Sequence, residues 1–400
     1  MTPPARHTAP AGEAPGLGAL LLLFSGVNLL IGSAAFMSTG LLEPMAESLG
    51  TSVAAVGQTT TVYAVATAVL APVVLALTGR MSRRGALATV FAVFTLGNAL
   101  AALAQDLPTL LVARVLMGAG SATTALMAAL TVSLAPPERR ARALSVVFLG
   151  ISLSYVTGVP LAAWAGLGWG WRVPAWIATV LCVLATALLW RRVPGERPID
   201  APAPLAGARA LLRDARLWSV YALTFTYFVA IFTGFSYLGP MLVALVEMGR
   251  TGLSASISAF GVAGVVGTLL GGRAADRLGP RRTIGGGLAL LAASLALLPL
   301  ARGHAWALLP LVMLWGAAGF SLMAPQQLRI ARLAGSQTPL ALSLNSSVLY
   351  LGVAAGAALG GAALAHLDAG NLAWVGSPVA LLAWAWAAWS MRGDPPGPRG

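Results

Sequence analysis

Residues 271–282 read GGRAADRLGPRR, a run of charge set between two apolar stretches that are each long enough to cross a bilayer. Asp276, Arg277, Arg281 and Arg282 cannot enter hydrocarbon cheaply, and glycines at 271, 272 and 279 suit a tight reversal at the lipid surface. The stretch therefore predicts a short charged hinge with antiparallel helices on either side. A weaker copy, LTGRMSRR, lies at residues 77–84, with Arg80 in the place of Arg277, Arg83 and Arg84 in the places of Arg281 and Arg282, and Gly79 where the acid would be. One such hairpin in each half of the chain points to internal duplication.

Composition agrees. Of 400 residues, 58% are hydrophobic and 9% charged, and the mean hydropathy is +0.82. That is more apolar surface than a water-soluble core can use. The formal charge of +13 comes from small arginine clusters separated by apolar runs, not from a basic face, which argues against nucleic acid as a partner. Lysine is absent; all 25 basic residues are arginine, as a GC-rich coding bias would give. Cys182 is the single cysteine, and His7, His304 and His366 are scattered, so neither a disulfide nor a metal site or cofactor is expected. Hydrolase signatures such as HExxH and GxSxG are missing as well, and the reading is of a protein that is not an enzyme.

Twelve apolar runs can span: 17–42, 53–77, 85–105, 108–133, 142–166, 172–190, 217–246, 253–271, 283–301, 305–330, 340–365 and 372–390. The long polar break at 191–216 divides them six and six. The expected fold is thus all-α, with twelve transmembrane helices in two pseudo-symmetric six-helix bundles, 17–190 and 217–391. A disordered tail at 1–16, a linker at 191–216 and a C-terminal tail at 392–400 complete the chain. If the tails, the linker and alternate loops share one side, that side holds 21 arginines and the other only Arg172, Arg250 and Arg302. The positive-inside rule makes the rich side, with both termini, cytoplasmic. The expected setting is a bacterial inner membrane, the chain a monomer in the lipid bilayer.

Polarity then separates the runs. The third, sixth, ninth and twelfth are nearly all apolar and can face lipid all round, whereas Asn28, Tyr63, Thr124, Tyr155, Tyr227, Gln326, Asn345 and Tyr350 fall in the others and suggest a cavity between them. Phe232 and Trp315, with Tyr63, Tyr155 and Tyr350, could supply amphipathic walls for a partly apolar small-molecule substrate. Glycines at 267 and 271, and at 352, 356 and 360, predict smooth packing faces. Arg114 alone places a charge within a span: it either snorkels outward to Asp106 or Glu43, or turns inward to helix carbonyls, a proton site or substrate.

Four stretches carry a resemblance to the major facilitator superfamily, and within it to the twelve-helix drug:proton antiporter-like exporters of drugs, sugars and metabolites. Asp276, Arg277, Gly279, Arg281 and Arg282, with the copy at Arg80 and Arg84, match its loop motif. Arg114 and Gly118 match its RxxxG motif, and Gly150, Gly158 and Pro160 resemble its antiporter motif. The stretch from Gly40 through Pro72 resembles its outer loop and second helix. The resemblance implies a secondary active transporter working by alternating access and exporting a small molecule in exchange for protons; with Arg114 the one charge within a span, electrostatics favour a neutral or anionic substrate. The charged loops suggest a gate in which Asp276 docks on a helix N-terminus of the other half and holds the cytoplasmic side shut; the alternative is that Asp276 only neutralises nearby arginines. Two positions depart from the pattern: Gly79 replaces the first loop's acid, and Ala35 stands where many such antiporters carry an acidic residue. All twelve acids fall in loops, tails or helix ends, which leaves a proton-independent facilitator of a neutral metabolite as the alternative.

Overall fold

The computed structural model describes residues 17–195 and 213–392; the expected tails and most of the linker lie outside them. Among the described residues, twelve helices are long and apolar enough to span a membrane. They are α1 (Leu17–Gly40), α2 (Val53–Thr78), α3 (Arg83–Leu103), α4 (Leu107–Leu134), α5 (Arg142–Trp169) and α6 (Arg172–Arg192), followed by α7 (Ala215–Phe235), α8 (Arg250–Leu278), α9 (Pro280–Ala301), α10 (Ala305–Ala334), α11 (Leu340–Ala363) and α12 (Ala369–Ser390). The pairs α1–α5, α2–α4 and α3–α6 of the first half recur as α7–α11, α8–α10 and α9–α12 in the second, giving two pseudo-symmetric bundles.

Helix ends follow local chemistry. Ser52, Ser82 and Asp106 cap α2, α3 and α4 by accepting the amide hydrogens of Ala55, Gly85 and Thr109. Those bonds hold the exposed Asp106 carboxyl below its usual range. The charged stretch at 271–282 is a hinge at one residue only. α8 runs on through Gly271 and Gly272 to Leu278, and the reversal is confined to Gly279, whose φ of 81° suits glycine. At 29 residues, α8 is roughly 43 Å long, against about 30 Å of hydrocarbon, so its last turns can carry charge in the interface without breaking the helix. The first-half turn needs no such conformation, since Gly79 has φ of −60°.

The seventh apolar run is also shorter than expected. α7 stops at Phe235, Ser236 and Tyr237 form a turn, and a separate short helix follows at Leu238–Leu245. Apolar side chains continue across the turn, so hydropathy alone cannot mark it. Nor do α3 and α9 face lipid all round: more than half of each is buried, because each wedges between two helices of its own half.

The glycines at four-residue spacing seat one helix on another's backbone. A Cβ at Gly267 would overlap the Ala317 carbonyl, and one at Gly271 that of Ser321, bringing α8 against α10. Gly352, Gly356 and Gly360 do the same for α11 against Phe225, Val229 and Thr233 of α7. Replacing Gly267 with Val should therefore cost about 1–3 kcal/mol and lower the melting temperature in detergent. Gly286→Ala, where the added methyl meets open space, should leave it unchanged or raise it; equal melting temperatures for the two variants would contradict this packing.

Candidate functional site

The seam between the halves is where functional side chains converge, and it is shut toward the arginine-poor face. Gly40 of α1 lies against Ile257 of α8, and Gly239 lies against the Thr39 carbonyl. Tyr237 packs over Gly57, accepts from Gln58 Nε2 at 3.3 Å and donates to the Ala357 carbonyl at 3.0 Å. Arg250 of α8 stacks on Trp164 of α5, 4.8 Å from the ring centroid. Above these contacts sits a vestibule of about 420 Å³ on that face, with Glu43 and Arg250 in its wall.

The α5–α8 contact shows what the Gly150, Gly158 and Pro160 motif does. Gly150 and Gly158 let α5 lie on α1, where any Cβ would strike Ser25 and Ser33. Pro160 has no N–H for the carbonyl four residues earlier, and the helix passes through a π-turn at Ser154–Gly158. The freed Val156 carbonyl accepts from Ser258 Oγ of α8 at 2.7 Å, and Ser254 Oγ reaches the Pro160 carbonyl, also at 2.7 Å.

Deeper in the seam lies a cluster of rings from both halves. Phe36 packs on Tyr63, Tyr155, Phe232 and Phe235 with centroids 5.4–6.4 Å apart. Tyr63 meets Tyr350 edge-on at 6.4 Å, and Tyr155 does the same with Phe320 at 5.6 Å. Phe235 continues through Phe260 to Trp315. Tyr155, Phe320 and Tyr350 keep partial exposure, while Tyr63, Tyr227, Phe232 and Trp315 are buried. Toward the arginine-rich face, Thr123–Leu134 of α4 and Met323–Ala334 of α10 pack within their own halves.

Several polar residues expected beside the cavity instead join helices within one half. Asn28 donates to the Val147 carbonyl of α5 at 2.9 Å and accepts from Thr124 of α4 at 2.7 Å. Gln326 of α10 binds the Val220 carbonyl and Thr224 of α7 at 2.7 and 3.0 Å. Asn345 is buried with its Oδ1 unpartnered. Arg114 is 1% exposed and donates from Nη1 to the carbonyls of Ala34 and Ala35, at 3.1 and 3.0 Å, so it turns inward onto α1 rather than to Asp106 or Glu43. Gly118, one turn on, brings α4 onto the α2 backbone at Tyr63 and Thr67.

The loop-motif residues are scattered. Asp276 is exposed, and neither it nor Arg80, Arg277, Arg281 or Arg282 has a side-chain partner among the described residues, so the docked contact expected of Asp276 is not made in this structure. Arg84 does bond, from Nε to the Val193 carbonyl at 3.0 Å, tying α3 to the end of α6. Sequence reasoning missed Phe36, Phe235 and Phe260, and it missed Ser254 and Ser258. A phenylalanine in an apolar run and a serine in a helix carry no signal of their own. Only the proline, by removing a donor, hints that some hydroxyl must serve its orphaned carbonyl.

Two bundles of paired helices, joined across a seam by contacts from both halves, are the architecture of a membrane transporter. The family model of the Major Facilitator Superfamily matches residues 22–267 and 247–400. The chain is 33% identical over 340 residues to the inner membrane transport protein YdhP of Escherichia coli K12, covering 84% of this chain and 86% of that protein. It is 30% identical over 356 residues, 88% of each chain, to a probable sugar efflux transporter of Mannheimia succiniciproducens. Its fold superposes with a TM-score of 0.81, at 16% identity, on a bacterial homolog of the human lysosomal transporter Spinster, covering 97% of this chain and 100% of that one. The chain belongs to the Major Facilitator Superfamily and is a multi-pass membrane transporter with bacterial relatives.

Removing both seam hydroxyls, Ser254→Ala with Ser258→Ala, strips about 0.5–1.5 kcal/mol per bond from the closed face. A Thr39→Cys reporter, buried beneath the vestibule, should then react with a water-soluble maleimide roughly tenfold faster. Cys182 is buried and adds little background. An unchanged rate would mean that the serines do not hold the seam.

Proposed function

We propose that this transporter exports a neutral or anionic small molecule from the cytoplasm in exchange for protons, with the arginine-rich face cytoplasmic and the present conformation therefore inward-facing. Export is supported by the relative named as a probable sugar efflux transporter, and the orientation by the arginine count. The observation that carries the substrate class is Arg114, a buried guanidinium in spans that hold no opposing carboxylate. A cation about 4 Å from it would meet a repulsion of roughly 4 kcal/mol at an effective dielectric of 20. The ring cluster beside α1 and α2 offers amphipathic walls to an uncharged or partly apolar solute.

A second reading, a proton-independent facilitator, is favoured by Ala35: at the position where a titratable acid is common in related antiporters, this chain has a methyl group whose carbonyl is bound by Arg114. Flux of a labelled sugar panel in proteoliposomes separates the two. Under proton exchange, dissipating the pH gradient collapses accumulation; an unchanged accumulation ratio selects the facilitator. Arg114→Ala should abolish flux while the protein still reaches the membrane, and wild-type flux would remove Arg114 from the mechanism. Orientation is read separately: Arg281→Cys should react with an impermeant maleimide only in inverted vesicles and Gly303→Cys only in right-side-out ones.

A further inference from the structure

Arg114 uses only one of its nitrogens. Nη1 is taken by the Ala34 and Ala35 carbonyls, while Nε and Nη2 are buried with no hydrogen-bond partner. Those two atoms form one edge of the guanidinium, the pair of parallel N–H groups whose spacing matches the two oxygens of a carboxylate. The edge is pre-oriented because the other side of the group is pinned to α1. A buried cation without a counter-ion is costly, and no acidic residue of the chain is available, since all twelve lie in loops, tails or helix ends. The surrounding helices carry further unanswered donors. Ser38 and Thr39, within a turn of Ala35 on α1, and Thr59 and Thr60, within a turn of Tyr63 on α2, have buried hydroxyls without partners.

We propose that the free Nε–Nη2 edge of Arg114 is a binding site for the carboxylate of a small organic acid, which supplies the negative charge that Ala35 does not. This deepens the substrate assignment made above and rests on it: the transported molecule is an organic anion whose carboxylate pairs with Arg114. Its less polar remainder lies toward Tyr63, which packs against Phe36 of the same half and Tyr350 of the other. The Ala34 and Ala35 carbonyls leave Nη1 no room for a second ligand, so the anion is read by two parallel bonds, and a single-point cation should replace Arg114 poorly. Access requires the rings around Tyr63 to part, which couples occupancy of the site to movement of the halves.

The test uses the purified full chain in lipid nanodiscs at fixed ionic strength, with two matched pairs of probes, sodium benzoate against benzamide and sodium gluconate against glucose. The carboxylate of at least one pair should raise the melting temperature by about 2 °C or more while its neutral partner does not. Arg114→Gln should weaken carboxylate binding roughly 30-fold or more, and Arg114→Lys, which keeps the charge but loses the fork, should restore only part of it. Equal shifts from acid and neutral partners, no shift from either acid, or a carboxylate shift that survives Arg114→Gln would each overturn the proposal. Maleimide labelling of Thr39→Cys in the Arg114→Gln background reports opening of the closed face independently. If that site still opens while the chain with Arg114 intact shows no carboxylate preference, the anion site fails and the transport reading stands.

Discussion

A bilayer offers no water to a backbone group that loses its helical partner, and the structure is arranged around that constraint. At several places where helices meet, a side chain from one helix bonds a carbonyl of another, or a glycine removes the obstruction. Val156, orphaned by Pro160, is served by Ser258. Val147 is served by Asn28, Val220 by Gln326, and Ala34 and Ala35 by Arg114. In each half the fourth helix reaches the first through one long polar side chain, but at opposite ends: Arg114 lies early in α4 and meets the end of α1, whereas Gln326 lies late in α10 and meets the start of α7.

The same economy explains how the halves differ from the seam between them. Within a half, contacts are backbone-close and glycine-mediated, as for Gly356 on Val229, and such surfaces do not tolerate displacement. Across the seam, glycine contacts such as Gly239 on the Thr39 carbonyl are joined by single hydrogen bonds, ring edges and one cation–ring contact, Arg250 on Trp164, each worth about a kcal/mol. The three arginines of the arginine-poor face are all engaged: Arg172 on Ser48 and the Ala104 carbonyl, Arg250 on Trp164, and Arg302 on Asp368 and the Ala244 carbonyl. Arg302 holds the Asp368 carboxyl below its usual range, although the pair is about half exposed and weak. Only Arg250 among the three reaches across the halves.

Hydropathy and the arginine clusters made the twelve spans legible because lipid enforces both rules over twenty residues at a time. What they could not show were features set by single residues or by tertiary pairing. The stop of α7 at Phe235 is hidden by continuous apolar sequence, and the extension of α8 to Leu278 is hidden by charge that the interface tolerates. Among the site residues, Arg114 stood out because a charge in a span is rare. Phe36 and Phe235 did not, because their roles arise only when helices far apart in sequence meet. Asn28 and Gln326, read as beside a cavity, spend their hydrogen bonds on neighbouring helices, since a polar side chain in lipid can be satisfied by a carbonyl as readily as by a wet cavity.

The paired hydroxyls on α8 have a geometric consequence. Ser254 and Ser258 are one helical turn apart, as are the Pro160 and Val156 carbonyls that receive them on the antiparallel α5. A shift of one pitch, about 5.4 Å, would bring one serine onto the other's acceptor, so the pair together mark a single register of α8 on α5. Pro160 marks that register in the sequence, because the Val156 carbonyl four residues earlier has no amide of its own helix to meet and stands open to a hydroxyl from the facing rod.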